Sequence, residues 1–62
     1  MFEEIKKIMD KKGITIPKLA KKLNIPLQTV YHWFYGHSKP SLKYVIKLSK
    51  YFKKPYEFFL QQ

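Results

Sequence analysis

Four prolines divide the chain into short segments, and they restrict its fold more than any other feature. They are Pro17, Pro26, Pro40 and Pro55. A proline inside a helix removes a backbone hydrogen bond and clashes with the preceding turn, whereas in the first turn its missing N–H is harmless and its fixed φ is already suitable. Each of the four precedes or opens a segment with helical periodicity. The sequence therefore predicts several short helices.

Apolar spacing predicts five helices and no strand, because no alternation of period two persists. Gly13 and Asn24 are suited to end the first two helices in a left-handed conformation, and Thr15 and Ser41 are suited to be N-caps of the second and fourth. We expect an all-α fold, a compact bundle of five short helices in one domain over residues 1–62. The predicted segments are Phe2–Lys12, Ile16–Leu23, a helix beginning at Leu27 within Asn24–Gly36, Ser41–Phe52, and Pro55–Leu60.

Helical wheels assign one buried side to each segment. Tyr44 and Tyr51 fall just outside the buried arc of the fourth helix, and either Phe59 or Leu60 is expected to close the core from the fifth. The predicted core comprises Phe2, Ile5, Ile8, Met9, Leu19, Ala20, Leu23, Leu27, Val30, Trp33, Phe34, Leu42, Val45, Ile46, Leu48, Ser49 and Phe52.

The basic residues are all lysines, and they favour a polyanionic partner. The chain has 13 of them against four acidic residues, a formal net charge of +9, which is typical of nucleic-acid-binding domains. The other interpretation is that lysine keeps a small aromatic-rich protein in solution. Lysine is a point charge that suits phosphates better than base edges, so other residues would have to recognise a base sequence.

Several other function classes are disfavoured by composition. The chain has no cysteine and only two histidines, so neither a disulfide framework nor a metal site is expected. No nucleophile, base and orienting group recur together, so we expect no enzyme activity, no cofactor and no small-molecule ligand. No apolar run is long enough for a membrane span or a signal peptide. We expect a cytoplasmic, nucleoid-associated protein with no additional sensor domain.

The third helix combines an apolar face with an uncharged polar face. Leu27, Val30, Trp33 and Phe34 share one arc, and Gln28, His32 and Tyr35 lie opposite, flanked by Thr29 and Tyr31. No lysine occurs between Pro26 and Ser38, which disfavours a membrane-surface helix. Lysines bracket the segment instead. Neutral hydrogen-bonding groups flanked by cations are what a helix in a DNA groove needs, since base contacts specify and phosphate contacts position.

From Thr15 to Leu60 the chain resembles the helix-turn-helix domains of the lambda-repressor and Cro type, the XRE family. The motif that carries the resemblance is LAKKLNI at 19–25, followed at family spacing by Val30 and Trp33, then YGHSKPS at 35–41 and an apolar fourth helix ending in Phe52. Residues 2–13 fit the first helix of the family. The resemblance implies a lambda-repressor-like fold in which helices 2 and 3, at about residues 16–35, form the helix-turn-helix. Two departures are Asn24 in place of the usual glycine and Ile16 at a position that is often polar.

The resemblance also implies which residues would contact DNA. The base-facing positions are Leu27, Gln28, Thr29, Tyr31 and His32, and four of these five are also exposed on the wheel. Gln28 suits adenine, so A·T-containing half-sites are expected. The candidate phosphate contacts are Lys18, Lys22, Tyr35, His37, Ser38, Lys39 and Lys43.

The implied function is a sequence-specific regulator of transcription, most simply a repressor. One subunit covers few base pairs, so we expect a weak homodimer on an inverted repeat with half-sites about 34 Å apart. The alternatives are an antitoxin-like protein-interaction module and a DNA-bending recombination factor. So short a regulator is consistent with a phage or mobile element. The candidate dimer contacts are Tyr56, Phe58, Tyr51 and Tyr44.

Overall fold

A computed structural model of the protein describes residues 2–60, and this part of the chain contains five α-helices and no strand. The predicted all-α fold of five short helices is confirmed. Positions 1, 61 and 62 of the predicted domain lie outside the described residues. The helices are α1 (Glu3–Lys12), α2 (Ile16–Leu23), α3 (Leu27–Phe34), α4 (Leu42–Phe52) and α5 (Tyr56–Leu60).

The ends of the helices follow most of the local signals. Gly13 and Asn24 have φ of 68° and 56° and end α1 and α2 in the left-handed conformation. Thr15 caps α2, since its hydroxyl oxygen accepts a 3.3 Å hydrogen bond from the Lys18 N–H. Ser41 occupies the N-cap position of α4, as predicted, but its side chain makes no capping bond. Its backbone carbonyl accepts hydrogen bonds from the N–H groups of Tyr44 and Val45.

The core contains buried side chains from every helix. Trp33 is 1% exposed and Phe59 is also 1% exposed, whereas Leu60 is 55% exposed, so Phe59 is the residue that closes the core from α5. The prediction that Leu42 is buried is wrong, because it is 64% exposed. A helical wheel predicts which face of a helix is buried, but it does not indicate how far neighbouring helices extend along that face. The buried residues are Phe2, Ile5, Met9, Leu19, Ala20, Ile25, Val30, Trp33, Val45, Leu48, Phe52 and Phe59.

Two helix pairs make the main contacts in the bundle. Helix α2 packs against α3, and α4 packs against α5. The Phe52 and Phe59 rings, with centroids 6.2 Å apart, join the second pair. The bundle measures 24 × 22 × 20 Å. None of the described helices has the length and apolar character needed to cross a membrane.

Candidate nucleic-acid interface

The turn between α2 and α3 is closed by backbone hydrogen bonds and by one buried side chain. The Ile25 N–H donates to the Ala20 carbonyl at 2.9 Å, and the Asn24 N–H donates to the Lys21 carbonyl at 3.3 Å. This pair of bonds around a left-handed residue is a standard way to end a helix. Ile25, 4% exposed, then enters the core. The start of α3 is therefore fixed relative to α2.

Lys47 on α4 adds a tertiary contact to the same turn. Its Nζ donates a 3.0 Å hydrogen bond to the Leu23 carbonyl, the last residue of α2. Tyr44, one turn earlier on α4, has its ring centroid 5.6 Å from that of Trp33 in α3. Helix α4 thus contacts both helices of the motif. Sequence reasoning missed Lys47, because its partner lies 24 residues away and no local pattern indicates the pairing.

Helix α3 is buried on one side and open on the other. Val30 and Trp33 are fully enclosed. Phe34 is half-buried, with its ring centroid 5.2 Å from that of Phe2. Leu27, which the wheel placed with the core, is 44% exposed, and this exposure agrees with the base-facing position implied by the resemblance. The remaining predicted base-facing residues are exposed (Gln28) or partly exposed (Thr29, Tyr31 and His32).

A shallow depression of about 360 Å³ lies on this open side, and it brings three predicted base-facing residues together with two predicted phosphate contacts. The Tyr31 and Tyr35 rings stack in parallel, 5.8 Å apart and 7° from coplanar. The Gln28 Nε2 atom lies 3.2 Å from His32 Nε2. Leu27 and Thr29 do not line the depression. Its lining is Gln28, Tyr31, His32, Tyr35 and His37, with no lysine and no carboxylate among them.

The chain after α3 folds back against the helix. Gly36 has a φ of 78°, a backbone conformation that residues other than glycine rarely adopt. The His37 N–H then donates to the His32 carbonyl at 2.8 Å. The two imidazole rings consequently meet edge to face, 5.8 Å apart. His37, a predicted phosphate contact, therefore lies directly beside a predicted base-facing residue.

The predicted lysine contacts fall into two groups. Lys39 and Lys43 are exposed and follow α3, and the Lys43 Nζ lies 5.7 Å from the centre of the Tyr44 ring. Ser38, between them and α3, is also exposed. Lys18 and Lys22 line a different groove of about 540 Å³, together with Ile14, Lys21 and Tyr51. The structure therefore does not bring Lys18 and Lys22 to the depression on α3.

The four candidate dimer contacts are also separated. Tyr44 packs on Trp33, and Tyr51 shares its groove with the lysines of α2. On α5, Tyr56 is 46% exposed and Phe58 is half-buried with its ring 5.4 Å from the Lys54 Nζ. Tyr44 and Tyr51 lie on α4, two turns apart, whereas Tyr56 and Phe58 lie together on α5.

Comparison with known proteins identifies the fold. A family model described as "Helix-turn-helix" matches residues 5–59, a range that includes most of α1 and α5 and all of the three helices between them. The match confirms the resemblance to the lambda-repressor and Cro type inferred from the motif. No curated protein and no solved structure gives a significant match to the chain.

Proposed function

The chain belongs to the XRE family of helix-turn-helix proteins and is a DNA-binding regulator, and we propose that it is a sequence-specific repressor that inserts α3 into the major groove of an inverted-repeat operator. The observation that carries this proposal is the lysine-free depression on α3, formed by Gln28, Tyr31, His32, Tyr35 and His37 in a chain of net charge +9. A surface that carries hydrogen-bonding groups but no lysine can distinguish bases, while the lysines around it bind phosphates of any sequence.

The base contacts come from one turn and a half of α3. The exposed amide of Gln28 matches the donor and acceptor pair of adenine in the major groove, and the exposed side chain of Leu27 can contact a thymine methyl group. Thr29, Tyr31 and His32 complete the set. An A·T base pair in each half-site follows from the Gln28 and Leu27 contacts.

The phosphate contacts come from the segment after α3. Lys39 and Lys43 extend into solvent, and Ser38, His37 and Tyr35 precede them on exposed chain. Lys18 and Lys22 on α2 add charge from their separate groove. Each phosphate that is neutralised releases counterions, so the affinity falls with salt.

The dimer forms through α5, at Tyr56 and Phe58. Tyr56 and Leu60 are 46% and 55% exposed on a helix of five residues, an apolar area that a partner subunit could cover. A contact through Tyr51 would bring Lys18, Lys21 and Lys22 of both subunits together, and their mutual repulsion opposes it. The small area of α5 makes the dimer weak, so that it assembles on DNA. Sedimentation showing a monomer both free and on the operator would exclude this arrangement.

Selection of bound sequences from a random duplex pool tests the proposal as a whole. The expected result is a two-fold symmetric site with A·T base pairs in each half. Binding to the selected site should weaken with salt, with a slope of log K against log[salt] of about −0.9 per phosphate contacted. A pool that yields no preferred sequence would refute sequence-specific recognition, and salt-independent binding would refute the phosphate contacts. Placement of the selected site over a promoter, with transcription measured in vitro, separates repression from activation.

Single substitutions then separate base contacts from phosphate contacts. Gln28→Ala should change the preference among single-base operator variants, whereas Lys43→Ala should weaken binding to all of them equally and make the salt slope less steep by about 0.9. Lys11→Ala is the matched control, because Lys11 is an exposed lysine at the end of α1 that is not a predicted contact. Equal slopes for the Lys43 and Lys11 variants would remove Lys43 from the interface.

A further inference from the structure

The contact between Gln28 and His32 defines which atoms of the two side chains are donors. Gln28 Nε2 lies 3.2 Å from His32 Nε2, one helical turn away. An amide nitrogen can only donate, so a hydrogen bond across this contact requires the tautomer of His32 that carries its proton on Nδ1 and accepts at Nε2. The amide of Gln28 is thereby held with its nitrogen end toward His32.

This arrangement leaves one acceptor and one donor of the Gln28 amide free for DNA. The carbonyl oxygen and the second N–H are the complement of adenine, which presents the N6 amino group and the N7 acceptor in the major groove. If the amide were reversed, its oxygen would face His32 and both N–H donors would be free. Two donors match guanine, which presents the acceptors O6 and N7. The orientation of one amide therefore decides between the two purines.

The His32 ring is itself restrained. Its centroid lies 5.8 Å from that of His37 with the two rings nearly perpendicular, and the His37 N–H donates to the His32 carbonyl. The His32 side chain is partly buried, whereas that of Gln28 is exposed. The more restrained side chain can thus orient the freer one.

We propose that His32 is a specificity-determining residue that acts through Gln28, by holding the amide in the orientation that selects adenine over guanine. The inference rests on the proposed function, because it requires α3 to lie in the major groove. It assigns His32 a positioning role that is separate from any contact of its own with a base. The purine preference at the base pair facing Gln28 then depends on an acceptor at position 32.

The test is a double-substitution cycle measured on two operators that differ only at that base pair, with adenine in one and guanine in the other. This base pair is identified as the operator position at which the Gln28→Ala variant no longer distinguishes one base from another. The wild-type protein should bind the adenine operator about 5- to 150-fold more tightly, the range for one bidentate base contact. His32→Leu should move that ratio toward one, because the amide can then reverse. In the Gln28→Ala background, His32→Leu should leave the ratio unchanged.

His32→Glu is the matched second variant, since a carboxylate only accepts hydrogen bonds and keeps the amide nitrogen facing position 32. It should weaken binding to both operators through its charge while retaining the adenine preference that His32→Leu loses. A carboxylate that contacted a base directly would favour cytosine instead, and that result would overturn the positioning role.

The remaining outcomes separate the inference from the function beneath it. Three results each overturn the inference and leave sequence-specific binding intact. They are an unchanged ratio of adenine to guanine affinity in His32→Leu, an equal effect of His32→Leu on that ratio in the Gln28→Ala background, and a wild-type preference for guanine at this base pair. A wild-type protein without preference at any base pair overturns the proposed function, and the inference fails with it.

Discussion

The bond between Lys47 and the carbonyl of Leu23 predicts a measurable loss of stability when Lys47 is replaced by methionine. Methionine keeps an unbranched side chain that can pack along α4, but it has no hydrogen to donate. The Leu23 carbonyl at the end of α2 then loses its bond to the Nζ atom, which lies 3.0 Å away in the wild-type protein. The substitution therefore removes one tertiary hydrogen bond and one charge and leaves the apolar packing largely in place.

The magnitude follows from the character of that bond. A hydrogen bond from a charged donor contributes about 1.5–3 kcal/mol, and the lower end applies here because the contact is only partly buried. The Lys47 Nζ also lies 5.9 Å from the centre of the Tyr44 ring, near the outer limit of a cation–π contact, so that interaction adds little. We expect a loss of about 1.5 kcal/mol from a total of about 3–9 kcal/mol for a chain of this length. The corresponding fall in Tm is about 6–12 °C.

The assay is urea unfolding followed by the fluorescence of Trp33, the single tryptophan in the chain. Lys50→Met is the control, because Lys50 lies on the same helix and is exposed, and its side chain makes no hydrogen bond or ion pair with the described residues. Lys47→Met should lower the midpoint at an unchanged m value, and Lys50→Met should not. Equal midpoints for the two variants would show that the effect of Lys47→Met comes entirely from the loss of a positive charge. The bond to Leu23 would then contribute nothing to stability, and the argument would be refuted.

Three further predictions concern the core and the helix ends. Trp33→Ala should lower the free energy of unfolding by about 3–5 kcal/mol, measured by urea unfolding followed by circular dichroism. Native Trp33 should emit fluorescence at short wavelength because it is 1% exposed, and emission at the wavelength of a water-exposed tryptophan would contradict its burial. Thr15→Ala should cost about 1 kcal/mol and Ser41→Ala clearly less, because of these two residues Thr15 alone caps its helix with its side chain. Equal losses in calorimetry would remove that distinction. Phe59→Ala should lower the free energy of unfolding by about 3–5 kcal/mol, whereas Leu60→Ala, at an exposed position, should change it by no more than about 0.5 kcal/mol. Both are measured by thermal unfolding, and similar values would show that Phe59 does not anchor α5.

Much of the fold could be predicted from the sequence because the signals are local. A left-handed residue at Gly13 or Asn24 depends on the residue itself and on the backbone bonds of one turn. The burial of Val30 and Trp33 follows from their spacing along a helix, which is independent of what covers them. The outward side of α3 follows from the same spacing, which exposes four of the five candidate base-facing residues. The resemblance to the family supplied the set itself and its fifth member, Leu27, which the wheel had placed with the core.

Contacts between distant segments decided the rest. The sequence could not indicate that Lys47 bonds to Leu23, that Leu42 is left uncovered, or that Lys18 and Lys22 share a groove with Tyr51 rather than with α3. Each of these depends on how far one helix extends past another and on which side chains meet across the gap. Periodicity and capping are properties of a single turn of chain, and they determined the helices, their ends and their buried faces. The surroundings of each exposed side chain depend on the packing of separate helices, and only the tertiary structure decided them.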